Sequence, residues 1–444
     1  MTVAALLVAA TFLASCSSSP KTSTTTSGGA QSTTLGRGVT ASTIKVGVSL
    51  VDFNCISQFV NQIRVNQDQV YQAFFNYVNS HGGVAGRKLV PDFQSFCPIG
   101  NAQALALCTK FAEDDGVFAV LGNFVDFTGD AQTCLAKDHD TVLLTFQLTQ
   151  AIMSQSPPGL IILPGETPER TDGILVSLLK KQGTLKGKKI AILSEVDNQS
   201  VVTNAVQPAL GKLGIPTGST AILDVTGADT SAAQAQLDSF IERWKSENVS
   251  ALFVTGTQVS SQQFIEKVRA QMPNVALVTD TDSTVVQGYG QQEKQAGRVP
   301  NPYEGILTAA GPTSQEYDQS ANWRYCSGIY QQETGKVAPN AEAVVPGPNG
   351  KTLDTYGSIN DACQLVTMFH DIASRVGTYL NTDNWVRTVD SFGNIRNVGD
   401  GQYASLHTGK YDVADTFRLE EFDSSIGAKG QYRPLTPLED ITGS

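Results

Sequence analysis

The residues of this chain with the plainest chemistry are its cysteines. Cys16 closes an apolar run, Ala4 to Phe12 followed by Leu13-Ala14-Ser15, and Ser17, Ser18, Ser19 and Pro20 come directly after it. A run of that length is too short for roughly 30 Å of hydrocarbon, which takes about 20 residues, but it has the form of an export-signal h-region with small residues at the cleavage site. Leu-Ala-Ser before cysteine is the pattern of a bacterial lipoprotein signal, so the sequence predicts a mature chain that begins at a lipidated Cys16. The alternative is a plain secretory signal with an incidental cysteine. No Lys or Arg precedes Ala4, where an n-region is ordinarily basic. Cys55, Cys97, Cys108, Cys134, Cys326 and Cys363 remain, an even number suited to disulfides in an exported chain. Six cysteines permit 15 pairings, and sequence leaves the choice open.

Metal and catalytic chemistry find little support. There is no Cys-x-x-Cys, and His81, His139, His370 and His407 stand singly, so neither a metal site nor a cofactor is expected. The Gly-x-Ser-x-Gly elbow, the phosphate-binding Gly-x-x-x-x-Gly-Lys-Ser/Thr loop and His-Glu-x-x-His are all missing. Gly288-Tyr289-Gly290 has two glycines of a dinucleotide fingerprint but lacks the third, and it does not open a helix after a strand. The reading is a protein without catalytic chemistry. A net charge of -11 argues against nucleic-acid or anionic-membrane partners, which need a basic face. No later segment has 18 consecutive apolar residues, leaving the lipid as the predicted membrane attachment.

The elements that must position any site begin after a Ser/Thr/Gly-rich stretch, 17–42, which has too few large apolar residues to fold and reads as a flexible tether. Ile44 to Val51 alternates and is β-branched, as a strand should be. Val65, Val70, Tyr71, Phe74, Phe75 and Val78 then fall near helical spacing, and Gly82-Gly83 breaks the run. Strands are predicted at Leu89 to Phe96, Val117 to Leu121 and Thr141 to Phe146, with helices at Ala102 to Glu113 and Gly129 to Lys137 between them. After Leu163-Pro164-Gly165 a second series follows, with strands at 189–193, 220–223, 251–254 and 276–278 and helices at about 170–182, 199–213, 230–246 and 260–271. Strands and helices alternating in this way mean βαβ crossovers and parallel sheets. A strand at Tyr303 to Ala310, helices at about 316–334 and 358–379 and a strand at Phe417 to Phe422 read as returns to those two units. Pro339 to Tyr356, rich in Pro and Gly, reads as an exposed excursion.

From about 43 to 425 the chain resembles the type I periplasmic binding proteins, in particular the branched-chain amino-acid-binding subgroup of ABC transporters. Thr43-Ile44-Lys45-Val46-Gly47 is similar to that family's opening strand. Ala73 to Leu89, with Asn79 near the helix end, Gly82-Gly83, Val84 and Gly86-Arg87, is similar to its first helix-to-strand connection. Val120-Leu121-Gly122 resembles the third strand, and Leu163-Pro164 with Arg170 the first crossing. The resemblance implies an α/β protein of two similar lobes, each a parallel sheet flanked by helices, joined by hinge crossings. Lobe 1 would comprise 43–164 with 303–380, and lobe 2 165–302 with 381–444, after a signal at 1–16 and a tether at 17–42.

Ligands of open parallel sheets sit beyond the carboxyl ends of the strands, so the resemblance implies a cleft lined by strand-end loops. In the first lobe these carry Asp52 and Phe53, then Asn123, Phe124 and Asp126, then Gln147, Leu148 and Thr149. Relatives often place Ser or Thr at the third-strand end, and Ser-Pro, two small residues and Thr at the fourth; here Thr149 is kept, while Gln147 and Leu148 would narrow the site. In the second lobe the loops carry Glu195, Asn198 and Gln199, then Thr257, then Asp280 to Asp282. Asp280 or Asp282 would suit an ammonium group, whereas Asp126 would repel a carboxylate; the set favours a polar or cationic solute over leucine or valine. The competing reading makes the acids solvated loop residues or helix caps and packs Phe53, Phe124 and Tyr303 in the core.

The same resemblance, through a 2-1-3-4-5 sheet with right-handed crossovers, suggests the pairs Cys108 with Cys134, Cys55 with Cys97, and Cys326 with Cys363. The function it implies is an extracytoplasmic, lipid-anchored, monomeric receptor that captures a small-molecule solute and delivers it to an ABC permease. A sensory lipoprotein signalling to a membrane partner is the alternative, and a surface adhesin a third.

Overall fold

The computed structural model describes residues 32–442 apart from 58–59, 61, 126–127, 147, 226–229, 281–282, 342 and 400–402, and apart from the side chains of 283 and 284. Cys16, Asp126, Gln147 and Asp282 lie outside the described residues.

Thr43–Val51 carries Ile44, Val46, Val48, Leu50 and Val51 and is buried along nearly its whole length, as befits a central parallel strand covered on both faces. It pairs in parallel with Lys88–Phe96 on one side and Ala119–Gly122 on the other. Val142–Leu144 and Ile161–Ile162 extend the sheet, which has the 2-1-3-4-5 order. Gly122 adopts φ +132°, and a Cβ there would come within 2.3 Å of the Ser49 carbonyl oxygen; only glycine fits. Helices Gln67–Ser80, Ala321–Thr334 and Thr355–Val376 pack together over this sheet, burying Phe74, Phe75, Cys326 and Phe369 in one core.

The second sheet runs Gln431–Pro434, Thr416–Asp423, Leu307–Ala310, Ala276–Thr279, Ala251–Thr255, Ile190–Glu195, Thr217–Leu223. Its members from Leu307–Ala310 onward along that order are parallel, and Thr416–Asp423 joins antiparallel. Helices Pro168–Lys181 and Ser231–Ser246 supply apolar side chains to the cores on this sheet, among them Leu175, Leu179, Leu237 and Trp244.

The lobe boundaries read from sequence are corrected at two points. Leu307–Ala310, assigned to lobe 1, hydrogen-bonds into the second sheet, and Tyr303 lies in that sheet's core. The helix Thr382–Asp390, assigned to lobe 2, buries Trp385 in the first core, stacked on Phe369 with ring centroids 5.7 Å apart. Short segments of this kind are placed by the partners that cover them, and those lie far off in sequence.

Residues 32–42, read from sequence as the end of the tether, are docked. Gly36 N–H donates to the Leu380 carbonyl at 2.8 Å, Asn381 Nδ2 donates to the Thr34 carbonyl at 2.7 Å, and Val39 is buried in the first core. Residues 32–42 thus belong to the first lobe, held mainly by backbone hydrogen bonds that composition does not report. The excursion at 339–356 likewise holds two short strands, Val345–Pro346 and Thr352–Asp354, the latter parallel to Gln62–Arg64.

Three disulfides join Cys55 to Cys97, Cys108 to Cys134 and Cys326 to Cys363. These are the pairs suggested by the resemblance.

The chain passes between the sheets at 163–167, at 311–313 and at 411–415. Leu163 N–H donates to the Tyr411 carbonyl at 3.0 Å, and Val413 N–H donates to the Leu163 carbonyl at 2.8 Å, so two crossings are zipped in parallel. A buried charge cluster clamps them. Arg170 pairs with Asp415, Lys410 Nζ lies 3.3 Å from Asp415, and Asp412 accepts from Thr167 N–H at 3.0 Å. Two cations meet two carboxylates there, so none is left uncompensated.

Candidate functional site

The second sheet gathers its strand-end residues into one group. Ile190–Glu195 ends in Glu195, which is 8% exposed and accepts from the backbone N–H groups of Gln258 at 2.9 Å and Val259 at 3.4 Å. Ala251–Thr255 ends in Thr255, whose hydroxyl donates to Asp280 and accepts from Asn198 Nδ2 at 3.3 Å. Gly256 N–H donates to Asp280 Oδ1 at 3.3 Å. At Gly256, φ is +115° and a Cβ would stand 2.4 Å from the Glu195 carboxyl carbon; glycine is what lets the two loops close on each other. Three loops remote in sequence thereby bring Glu195, Asn198 and Asp280 together.

A fourth element adds the residue that sequence reasoning missed. Asp172, in the first turns of Pro168–Lys181, is wholly buried, its carboxyl beside that of Asp280. Neither of its oxygens meets a hydrogen-bond donor among the described residues. Burial, with the nearby Asp280 and Glu169 carboxylates, holds Asp172 well above the usual carboxylate range. Burial also lifts Asp280 to about 6 and Glu195 to about 7, against the lowering effect of the donors each accepts from. Nothing in the local sequence distinguished Asp172, the fifth residue of its helix, from an ordinary solvent-facing helical acid. Tyr289 was passed over with its glycines; it lies half-buried in Ser283–Gln295, where burial and Glu195 raise its hydroxyl.

The first-lobe residues mostly have other employment. Asp52 accepts from Asn54 N–H at 3.0 Å and Asn123 from Val125 N–H at 2.9 Å, so each closes its own turn. Thr149 caps the short helix Gln150–Met153, accepting from Ile152 N–H at 3.2 Å. Phe124 and Leu148 are 0% and 1% exposed in the first core, which corrects their assignment to the cleft wall: apolar side chains beside a core are drawn into it. Phe53 is half-buried against the same core. Gln199 and Thr257 are exposed, and no contact ties either to the second-lobe group.

One contact links the two sets of loops. Glu169, one turn before Asp172, accepts from Gln150 N–H at 2.8 Å and from Ala151 N–H at 3.3 Å. A carboxylate on the second lobe's first helix therefore sits on the fourth-strand loop of the first lobe. Chemically the site offers several carboxyls, one amide and one hydroxyl. The described strand-end residues include no Lys or Arg; the nearest cations, Arg170 and Lys410, are committed to Asp412 and Asp415.

No protein-family model matches this sequence, and no curated protein matches it. Solved structures do. A periplasmic binding protein from Burkholderia mallei superposes with a TM-score of 0.63 at 11% identity, covering 90% of this chain and 96% of that one. A solute-binding protein of an ABC transporter from Rhodopseudomonas palustris BisB5, in complex with 3,4-dihydroxybenzoic acid, gives 0.60 at 14%, covering 90% and 98%. An ABC transporter substrate-binding protein from Desulfitobacterium hafniense, in complex with Leu, gives 0.58 at 14%, covering 88% and 100%. At such identities the likeness is one of fold: two α/β lobes with parallel sheets flanked by helices, as in the type I periplasmic binding proteins.

Proposed function

We propose that this chain is an extracytoplasmic solute-binding protein of an ABC importer, tethered by lipid at Cys16, which captures a small polar solute between its lobes and closes about its crossings. The observation that carries this reading is the convergence of Glu195, Asn198, Asp280 and Asp172 at the carboxyl ends of the second sheet, where ligands of open parallel sheets bind. Glu169 places that group next to the first lobe's loops. The fold likeness to solute-binding proteins supports a binder without catalytic chemistry that has a membrane permease as partner; the monomer is our own expectation. Hinge closure of two lobes around a ligand is a general means of coupling capture to delivery.

The test is thermal unfolding of the full chain, disulfides intact, against amino acids, amides, polyamines, sugars and nucleosides. A ligand at 100 times its Kd adds about 2.7 kcal/mol, so one chemical class raises Tm clearly. Absence of any shift across the panel, with the protein folded and free of carried-over ligand, overturns the reading.

A further inference from the structure

We infer that the solute is an organic cation without a carboxylate, an amine, amidine or guanidine whose positive nitrogen seats between Asp172, Asp280 and Glu195. This rests on the reading of that group as the solute site. Two observations carry it. The first is Asp172: a wholly buried carboxyl with no donor to either oxygen among the described residues. Burying an unpaired ionised carboxylate is costly, so the group keeps a proton or finds a cation. No described Lys or Arg reaches it, and the carboxyl beside it is that of Asp280, a half-buried residue at the strand end.

The second is Glu169. An amino acid needs donors for its carboxylate as well as acceptors for its ammonium. The first-lobe N–H groups that Glu169 sets beside the second lobe are those of Gln150 and Ala151, with Ile152 next in the same turn. All are taken, the first two by Glu169 and the third by Thr149. The protein thus supplies its own carboxylate where a zwitterion would put one, and a second carboxylate there would meet like charge from Glu169 and Asp172. The other groups facing the acids are Asp197, which adds negative charge at Glu195, and the half-buried Tyr289.

In the ligand-free protein, burial and the neighbouring Asp280 carboxyl favour the protonated form of Asp172. Seating an ammonium ion ionises Asp172 and passes that proton to the buffer; no other bond changes.

The experiment is isothermal titration of the full chain, disulfides intact, with n-butylamine, 1,4-diaminobutane and agmatine as carboxylate-free cations, with 4-aminobutanoate and leucine as carboxylated amines, with butyramide as a neutral solute, and with calcium and magnesium chloride. Binding by a carboxylate-free cation, at least tenfold tighter than 4-aminobutanoate and with proton release in buffers of different ionisation heat, is the expected result. Asp172→Asn and Asp280→Asn each weaken it at least tenfold, and Glu169→Gln narrows the gap between butylamine and 4-aminobutanoate. Asp172→Asn is isosteric, and its ligand-free Tm separates lost binding from lost folding. Preference for leucine, 4-aminobutanoate or butyramide, response to the divalent ions alone, or unchanged affinity in Asp172→Asn overturns the inference while the receptor reading stands. Silence from every solute here and in the broader thermal panel removes both.

Discussion

Glu195 shows how a residue legible by type acquires its properties from surroundings that are not. Its place at a strand end is plain from Ile190–Leu193 running ahead of it, but its burial depends on the loop after Thr255 folding over it at Gly256. Burial raises its carboxyl from an ordinary 4.5 to about 7, and that of Asp280 from 3.8 to about 6. A carboxyl with a folded pKa above its unfolded one binds its proton more tightly when folded. Its contribution to stability is complete below the unfolded pKa and is lost as pH rises through the folded one. The ligand-free protein therefore loses stability between about pH 4 and 7 on account of these groups, and Glu195→Gln flattens the profile between about 4.5 and 7. Denaturant midpoints measured across that range check the sign; a profile unchanged in the variant would refute it. Asp172 was invisible at this scale, since an acid one turn into a helix ordinarily faces solvent, and only tertiary packing removes it from water.

Among the elements, long periodic segments were the most legible. The strand Thr43–Val51 and the helices Ser231–Ser246 and Thr355–Val376 fall close to their predicted places because their apolar spacing is carried by many residues. Short pieces were not. The helix predicted at 316–334 is two, Ser314–Gln319 and Ala321–Thr334, divided at Ser320, whose hydroxyl caps the second by accepting from Trp323 N–H at 3.0 Å. Helices Ser283–Gln295 and Thr382–Asp390 went unread, the first because its glycines dilute the pattern, the second because it is nine residues long with three apolar positions, Trp385, Val386 and Val389. The disulfide between Cys326 and Cys363 ties Ala321–Thr334 to Thr355–Val376. Replacing both cysteines by alanine is expected to cost about 2–4 kcal/mol, read as a lower urea midpoint, with the second-lobe site and its ligand response kept.

For the whole molecule, the crossings are where the two lobes are joined. Asp415 is wholly buried and holds Arg170, Lys410 and the Ser405 hydroxyl at once. Asp415→Asn leaves two buried cations sharing one carboxylate, and removing one partner of a buried pair costs about 3–5 kcal/mol; equilibrium unfolding measures it, and a change under 1 kcal/mol would refute the clamp. Closure is a separate expectation. Small-angle scattering of the full chain should show a smaller radius of gyration with the solute that raises Tm, and an unchanged radius would argue for capture without hinge motion.

The sequence by itself determined that strands alternate with helices in two series and that carboxyl and amide residues fall at strand ends, because each follows from spacing within some tens of residues. Only the tertiary structure decided which sheet receives Leu307–Ala310, which core receives Trp385, that residues 32–42 are docked, and that Asp172 completes the acidic group while Phe124 and Leu148 leave the cleft. Those outcomes depend on contacts between segments up to several hundred residues apart, where the burial of one side chain is set by another that local periodicity cannot see.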